Sequence, residues 1–174
     1  MNKQNTIKIF VPIILVAVVA AGGLFSLRRS SSICTPVYPT DQSRKMVDTL
    51  DKQSLQFAST TADITDRSAE GGAQITFSQN GNRKIVEQRF YGETGKSYMR
   101  FYYDGTTIFE IVKLNLTYAV PISVDSSGAV KSGEESDYYL EPTGRVCGSE
   151  VNGVSQPIDK DTQDMIQEYI AGIL

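Results

Sequence analysis

The fold is decided by the stretch Arg83–Tyr118, which reads RKIVEQRFYGETGKSYMRFYYDGTTIFEIVKLNLTY. β-branched and aromatic residues are frequent in it, and apolar and polar residues alternate along much of its length. Both features are typical of β-strands that bury one face. Glycine-containing turns at 93–96 and 103–105 divide the stretch, so it predicts three strands of an antiparallel meander.

The second turn, Tyr103-Asp104-Gly105, sets the register of its hairpin. We expect a three-residue loop with Tyr102 opposite Thr106, because an odd-length loop keeps the apolar side chains together on one face. That face would carry Met99, Phe101, Thr107, Phe109 and Ile111. The opposite face would carry Tyr98, Arg100, Tyr102, Ile108, Glu110 and Val112.

The flanking segments add one or two strands and two helices. The pattern predicts strands at about 73–79, 83–91, 97–103 and 106–118, and a short edge strand at 136–140. A helix over 40–57, with Thr40 as its cap, would place Met46, Val47 and Leu50 on the sheet. Asp159 or Asp161 would cap a second helix that reaches 173. The fold class is therefore α+β, a four- to five-stranded antiparallel β-meander packed by an N-terminal and a C-terminal helix.

The amino terminus is typical of an exported protein. A short basic segment, 1–8, precedes the apolar run 9–27, and a serine- and proline-containing linker, 28–39, leads to the domain, 40–174. The apolar run fits a transmembrane signal anchor or a cleaved signal peptide. A buried helix of a cytosolic protein is the third interpretation. Either of the first two puts the domain in the cell envelope of a bacterium, as a single-pass membrane protein with an extracytoplasmic domain, or in the periplasm or medium.

Composition excludes several classes of function. The chain has no histidine, so serine–histidine, cysteine–histidine and histidine-ligated metal schemes are excluded. Every charged residue before position 31 is basic, which leaves the predicted domain acidic and poorly suited to nucleic acid. The acidic clusters near 125, 134 and 159 lack the spacing of a calcium loop. We expect no enzyme, no cofactor and no metal.

Cys34 and Cys147 are the only cysteines. In an exported chain such a pair predicts one disulfide, which would tie the linker to the far end of the domain. If the domain faced the cytosol, the two thiols would stay unpaired.

The alternation in the second strand of the meander puts Tyr98, Arg100 and Tyr102 on one sheet face. Tyrosine and arginine are enriched where proteins bind proteins, so this face is the leading candidate for a partner. The alternative is that a helix covers the tyrosines, or that Arg100 pairs with Glu87 or Glu110 across the strands.

The sequence therefore predicts a non-catalytic envelope protein that meets the membrane through its N-terminal segment and binds a protein or envelope component. The alternative is a small exported inhibitor or immunity-type protein that acts through a mobile loop at 123–137. A hydrolase that uses two carboxylates is a third class, but a small meander offers little concave surface for it.

Overall fold

The computed structural model of the protein describes residues 34–64 and 70–173, so the predicted segments 1–8 and 9–27 lie outside the described residues. Within these described residues, two helices frame a run of strands, which confirms the α+β class. The helices are α1 (Thr40–Ser54) and α2 (Lys160–Ala171). The strands are β1 (Ala58–Ile64), β2 (Gly72–Gln79), β3 (Asn82–Gly92), β4 (Gly95–Asp104), β5 (Thr107–Tyr118), β6 (Val130–Leu140), β7 (Val146–Val151) and β8 (Val154–Gln156).

All eight strands form one antiparallel sheet in sequence order, β1 to β8. Because successive side chains of a strand point to opposite faces, the sheet buries both of its sides. One cluster, which includes Val86, Phe101 and Ile111, packs against Ile166 and Ile170 of α2. The other is formed by Ile85, Tyr102 and Phe109 under α1.

The expected count of four to five strands is wrong, because β1, β7 and β8 lie in segments for which the sequence pattern predicted no strand. β1 reads ASTTADI and has almost no buried side chain, so it carries no alternation of apolar and polar residues. β7 and β8 are short and join through Asn152-Gly153. These strands form because their backbones pair with a neighbouring strand. Such pairing leaves little signal in a single sequence.

The register expected for the second hairpin is also wrong. Tyr102 pairs with Glu110 rather than with Thr106, and Tyr103 pairs with Ile108, so Phe109 is the extra residue of a β-bulge. A bulge lets two residues of one strand oppose one residue of the other. Ile108 consequently joins the α2 side of the sheet, and Phe109 joins the α1 side, which is the reverse of the expected faces.

The predicted mobile loop at 123–137 is shorter than expected, because β6 already begins at Val130. The remaining loop, 119–129, is held by backbone hydrogen bonds from Ala119 to Ala129 and from Ile122 to Glu93. The segment that joins β5 to β6 is therefore hydrogen-bonded across its ends and to the turn between β3 and β4.

The helices are close to their predicted positions. Met46, Val47 and Leu50 of α1 pack on the sheet as expected. The residue that caps α1 is Pro39 and not Thr40, and the helix ends at Ser54, because the chain turns there into β1. Asp159 caps α2 by accepting a hydrogen bond from the Thr162 backbone N–H at 2.7 Å.

Candidate functional site

The three residues predicted to bind a partner share a face of β4, and they differ in how far α1 covers them. Tyr102 is 1 % exposed and lies in the apolar cluster under α1. Its hydroxyl donates to Asp51 of α1, at 3.0 Å from Oδ1. Burial, together with the nearby Asp51 carboxylate, raises the pKa of Tyr102 above its ordinary value. Tyr102 is therefore fixed in its neutral form between the helix and the sheet.

Arg100 lies between Tyr98 and Tyr102 on this face of β4 and is held by two carboxylates. Its guanidinium donates to Glu87, the residue opposite it on β3, and lies 3.1 Å from Oδ1 of Asp51. Glu87 is 1 % exposed and also accepts from Arg89, so two guanidinium groups neutralise one buried carboxylate. Burial alone would lower the pKa of Arg100, but the neighbouring charges, of which Glu87 is the largest, raise it overall. The cross-strand pairing of Arg100 with Glu87, which the sequence left open as an alternative, is present.

Tyr98, the third of these residues, lies nearest the start of β4 and is half-buried. Two cations approach its ring: Cζ of Arg89 is 5.8 Å from the ring centroid, and Nζ of Lys96 is 5.5 Å from it. Cations over an aromatic ring are attracted by the quadrupole of the ring, whose face is electron-rich. The contact with Tyr98 also raises the pKa of Lys96, which stays charged.

Arg89, Tyr91, Lys96 and Tyr98 form one surface, which we call the Tyr98 patch. Arg89 pairs with Tyr98, and Tyr91 pairs with Lys96, so the four side chains are cross-strand neighbours on one face of β3 and β4. The Tyr91 side chain is 38 % exposed. A depression of about 320 Å³ opens at this end of the sheet, with Tyr91, Lys96 and Leu116 among its lining residues. The patch offers aromatic faces and positive charge side by side.

A group of acidic side chains lies under the other half of α1, where sequence reasoning had placed only Glu110. Glu110 is 1 % exposed and accepts a hydrogen bond from Ser43 of α1, and Asp137 of β6 is 9 % exposed. Burial raises the pKa of Glu110 to about 7, and the charge of Asp137 adds to the shift. Burial also raises the pKa of Asp137. Arg44 of α1, which pairs with Glu150 of β7, partly opposes both pKa shifts through its positive charge.

Cys34 and Cys147 are placed as a disulfide across a sequence separation of 113 residues. Their Cα atoms are 5.3 Å apart, within the usual range of roughly 4.4–6.8 Å. Within residues 34–64 and 70–173, the two cysteines and Glu141 are also the one group whose possible ligand atoms lie close enough for a metal ion. With both sulfur atoms in a disulfide and Glu141 paired with Arg145, the donor set lacks the thiolates that such a site would need.

The loop 119–129 is the remaining surface that the sequence singled out. The hydroxyl of Ser123 donates to Glu93, and Asp125 accepts from the backbone N–H of Ser127 at 2.9 Å. The side chain of Val124 is 75 % exposed. The loop thus presents an aliphatic side chain from a hydrogen-bonded framework.

In the part of the chain that the structure describes, neither helix has the length and apolar character needed to span a bilayer. No protein-family model matches the sequence, no curated protein is detectably similar to it, and no solved structure matches its fold.

Proposed function

We propose that this protein is a non-catalytic binding protein of the cell envelope, and that it holds an anionic protein or envelope component at the Tyr98 patch. The observation that carries the proposal is the approach of two cations, Arg89 and Lys96, to the partly exposed Tyr98 ring. Such a surface combines a large contact area with positive charge, as binding hot spots commonly do. Partners of this kind include acidic proteins and acidic sugar polymers.

Arg100 and Tyr102 belong to the proposed site as the residues that hold it in place. Both donate to Asp51, so they fix α1 beside the patch. Glu87 links Arg100 to Arg89 and orients the guanidinium of Arg89 toward Tyr98. In this proposal Tyr98 makes the contact with the partner, while Arg100 and Tyr102 restrict the shape of the contact surface.

The two carboxyl groups whose pKa values are raised by burial, Glu110 and Asp137, support a role without catalysis. Glu110 and Asp137 lie under α1 at 1 % and 9 % exposure, where a substrate has no access while the helix is docked. A hydrolase would need its acid and base to face a reacting bond.

The cell envelope as the location rests on the sequence of the N-terminal segment and on the paired cysteines. Disulfides persist in oxidising compartments and are rare in the cytosol. The test is alkylation of intact cells with a membrane-permeant maleimide. We expect Cys34 and Cys147 to react only after reduction. Complete labelling without reductant would contradict export.

Site-specific photo-crosslinking tests the binding surface directly in cells. A benzoylphenylalanine at position 98 of the full chain should give a discrete crosslinked product, since that side chain would lie against the partner. The matched control is position 160, because the Lys160 side chain is 84 % exposed on α2. The same product from both positions, or from neither, would overturn the assignment. The crosslinker can also be placed at position 91 of the same patch. In that chain Lys96→Glu should reduce the yield of crosslinked partner at least several-fold.

A second candidate is an inhibitor that inserts the loop 119–129 into the cleft of another enzyme. The observation in its favour is the exposure of Val124 from a loop that is fixed to Glu93. A preorganised loop loses little entropy on binding. Val124→Asp should abolish inhibition by such a protein and leave crosslinking from position 98 unchanged, so one variant separates the two functions.

A further inference from the structure

The two edge strands of the sheet, β8 and β1, differ in length. β8 is a three-residue strand, and so short an edge offers little for another chain to pair with. β1, at the opposite edge, has seven residues, of which six are exposed. Within residues 34–64 and 70–173, β2 is its one strand neighbour, so the outer N–H and C=O groups of β1 are without a strand partner.

β1 also lacks the features that usually protect an edge. Natural edge strands carry lysine, proline, a bulge or an inward-pointing charge that prevents pairing with another chain. β1 reads Ala58-Ser-Thr-Thr-Ala-Asp-Ile, with Asp63 as its one charged residue, and its pairing with β2 is regular throughout. Threonine is also favoured in strands.

We propose that β1 pairs antiparallel with β1 of a second copy, and that the two sheets join into one. Two identical antiparallel strands are related by a two-fold axis perpendicular to the sheet, which passes between two equivalent residues. The register that uses all seven residues places Thr61, the centre of the strand, on this axis. Both copies then keep their α1 helices on the same side of the joined sheet.

This register makes the strand complementary to itself. Ser59 lies opposite Asp63, so a hydroxyl meets the single carboxylate and no like charges face each other. Ala58 lies opposite Ile64, so the two ends of the strand pair their apolar side chains. Side-chain pairs of these kinds stabilise antiparallel strands, while opposed like charges destabilise them. A second copy is therefore a better occupant of this edge than a charged peptide.

Leu55 is an exposed apolar residue close in sequence to this edge. It follows the last residue of α1 and precedes β1 by three positions, and it is 94 % exposed, the highest value among the large apolar residues of the described part of the chain. A seven-residue strand pair is smaller than the ~1,200–2,000 Å² of a stable interface, so we expect a weak dimer that chemical crosslinking captures best.

Cysteine crosslinking of the full chain in membranes tests both the pairing and its register. Thr61→Cys should form a covalent dimer on oxidation, because directly opposed Cα atoms lie ~4.5–5.5 Å apart, within disulfide range. Thr60→Cys is the control, since the two copies of Thr60 would be diagonal neighbours roughly 7–8 Å apart, too far for a bridge. The double variant Thr60→Cys/Ala62→Cys should crosslink, because those positions face each other.

The pairing is overturned if neither Thr61→Cys nor Thr60→Cys forms a dimer, if both form it equally, or if the crosslinked product has the mass of a different protein. Dimer from Thr60→Cys but not from Thr61→Cys would overturn the register. A fold control accompanies each variant: its near-ultraviolet circular dichroism must match that of the parent chain. Thr61→Lys, which keeps the strand but charges the edge, should lower the yield from the Thr60→Cys/Ala62→Cys pair at least several-fold.

Discussion

The hydroxyl of Tyr102 lies 3.0 Å from Oδ1 and 3.2 Å from Oδ2 of Asp51, which ties the C-terminal part of β4 to the last turn of α1. The same carboxylate is 3.1 Å from Arg100, so one residue of the helix serves two neighbouring residues of the strand. Because Tyr102 is buried, its hydroxyl has exchanged water for this partner. The contact fixes the position of α1 along the sheet.

Tyr102→Phe should reduce the free energy of unfolding by about 1–3 kcal/mol, since the deleted hydrogen bond ends on a carboxylate. Urea denaturation measures the change. In the Asp51→Ala background the same substitution should cost less, because its partner is already absent. Equal losses in the two backgrounds would show that Tyr102 and Asp51 are not coupled.

Arg100→Met should destabilise the domain by about 1–3 kcal/mol, because Glu87 stays buried with one guanidinium fewer. The matched control is Arg145→Met, which breaks the more exposed pair with Glu141 and should reduce stability less than Arg100→Met does, because solvent screens exposed ion pairs. Chemical denaturation of both variants makes the comparison. If the two losses are equal, the network around Glu87 is not structural. Arg100→Met/Glu87→Gln should recover part of the stability, since it removes the buried charge.

The raised pKa of Glu110 predicts that the stability of the protein depends on pH between about pH 4.5 and pH 7. Its pKa is raised from 4.5 to about 7 in the folded protein, so the folded state holds this proton more tightly than the unfolded state does. The contribution to stability is complete below pH 4.5 and is lost as the pH rises toward 7. Burial contributes most to the raised pKa; Asp137 of β6 and Asp48 of α1 add to it, while Ser43 and Arg44 of α1 oppose it.

Glu110→Gln should therefore raise the melting temperature at pH 8 and change it little at pH 4. Calorimetry from pH 4 to pH 8 measures both values. Glu141→Gln is the control, because Arg145 lowers the pKa of Glu141, and its substitution should instead reduce stability slightly at neutral pH. A Glu110→Gln variant with an unchanged pH profile would contradict a buried, protonated Glu110.

The central meander and both helices could be predicted because their sequences carry the periodicity of their burial. Met46, Val47 and Leu50 repeat at helical spacing and do pack on the sheet. The bulge at Phe109 could not be predicted, because Ile108 and Phe109 are both apolar and either fits either face. β1 could not be predicted for a related reason: it is exposed on both faces, so its side chains give no periodic signal.

The candidate site was predictable only as far as the face that it occupies. Alternation along β4 correctly put Tyr98, Arg100 and Tyr102 on one side of the sheet, and cross-strand pairing of Arg100 with Glu87 was an expected alternative. How far α1 buries Tyr102 depends on the position of the helix on the sheet. Tertiary contacts such as that between Asp51 and Tyr102 set this position. No local pattern encodes that position.

The disulfide gives the last prediction. Cys34 lies six residues before α1, and the Val37 N–H donates to the Leu140 carbonyl at 2.7 Å, so the segment that leads into α1 is held both covalently and by the sheet. Replacing both cysteines by serine frees a loop of 113 residues in the unfolded chain. We expect the free energy of unfolding to fall by about 2–5 kcal/mol, because loop closure no longer restricts the unfolded ensemble.

Urea denaturation with and without reductant separates this effect from the loss of side-chain packing. The parent chain should lose stability on reduction, and the Cys34→Ser/Cys147→Ser variant should be insensitive to reductant. If reductant leaves the parent unchanged while the variant is weakened, the contribution comes from packing around Cys147 and not from the covalent link. If neither treatment has an effect, α1 is held by the sheet alone through contacts such as those of Ser43 and Asp51.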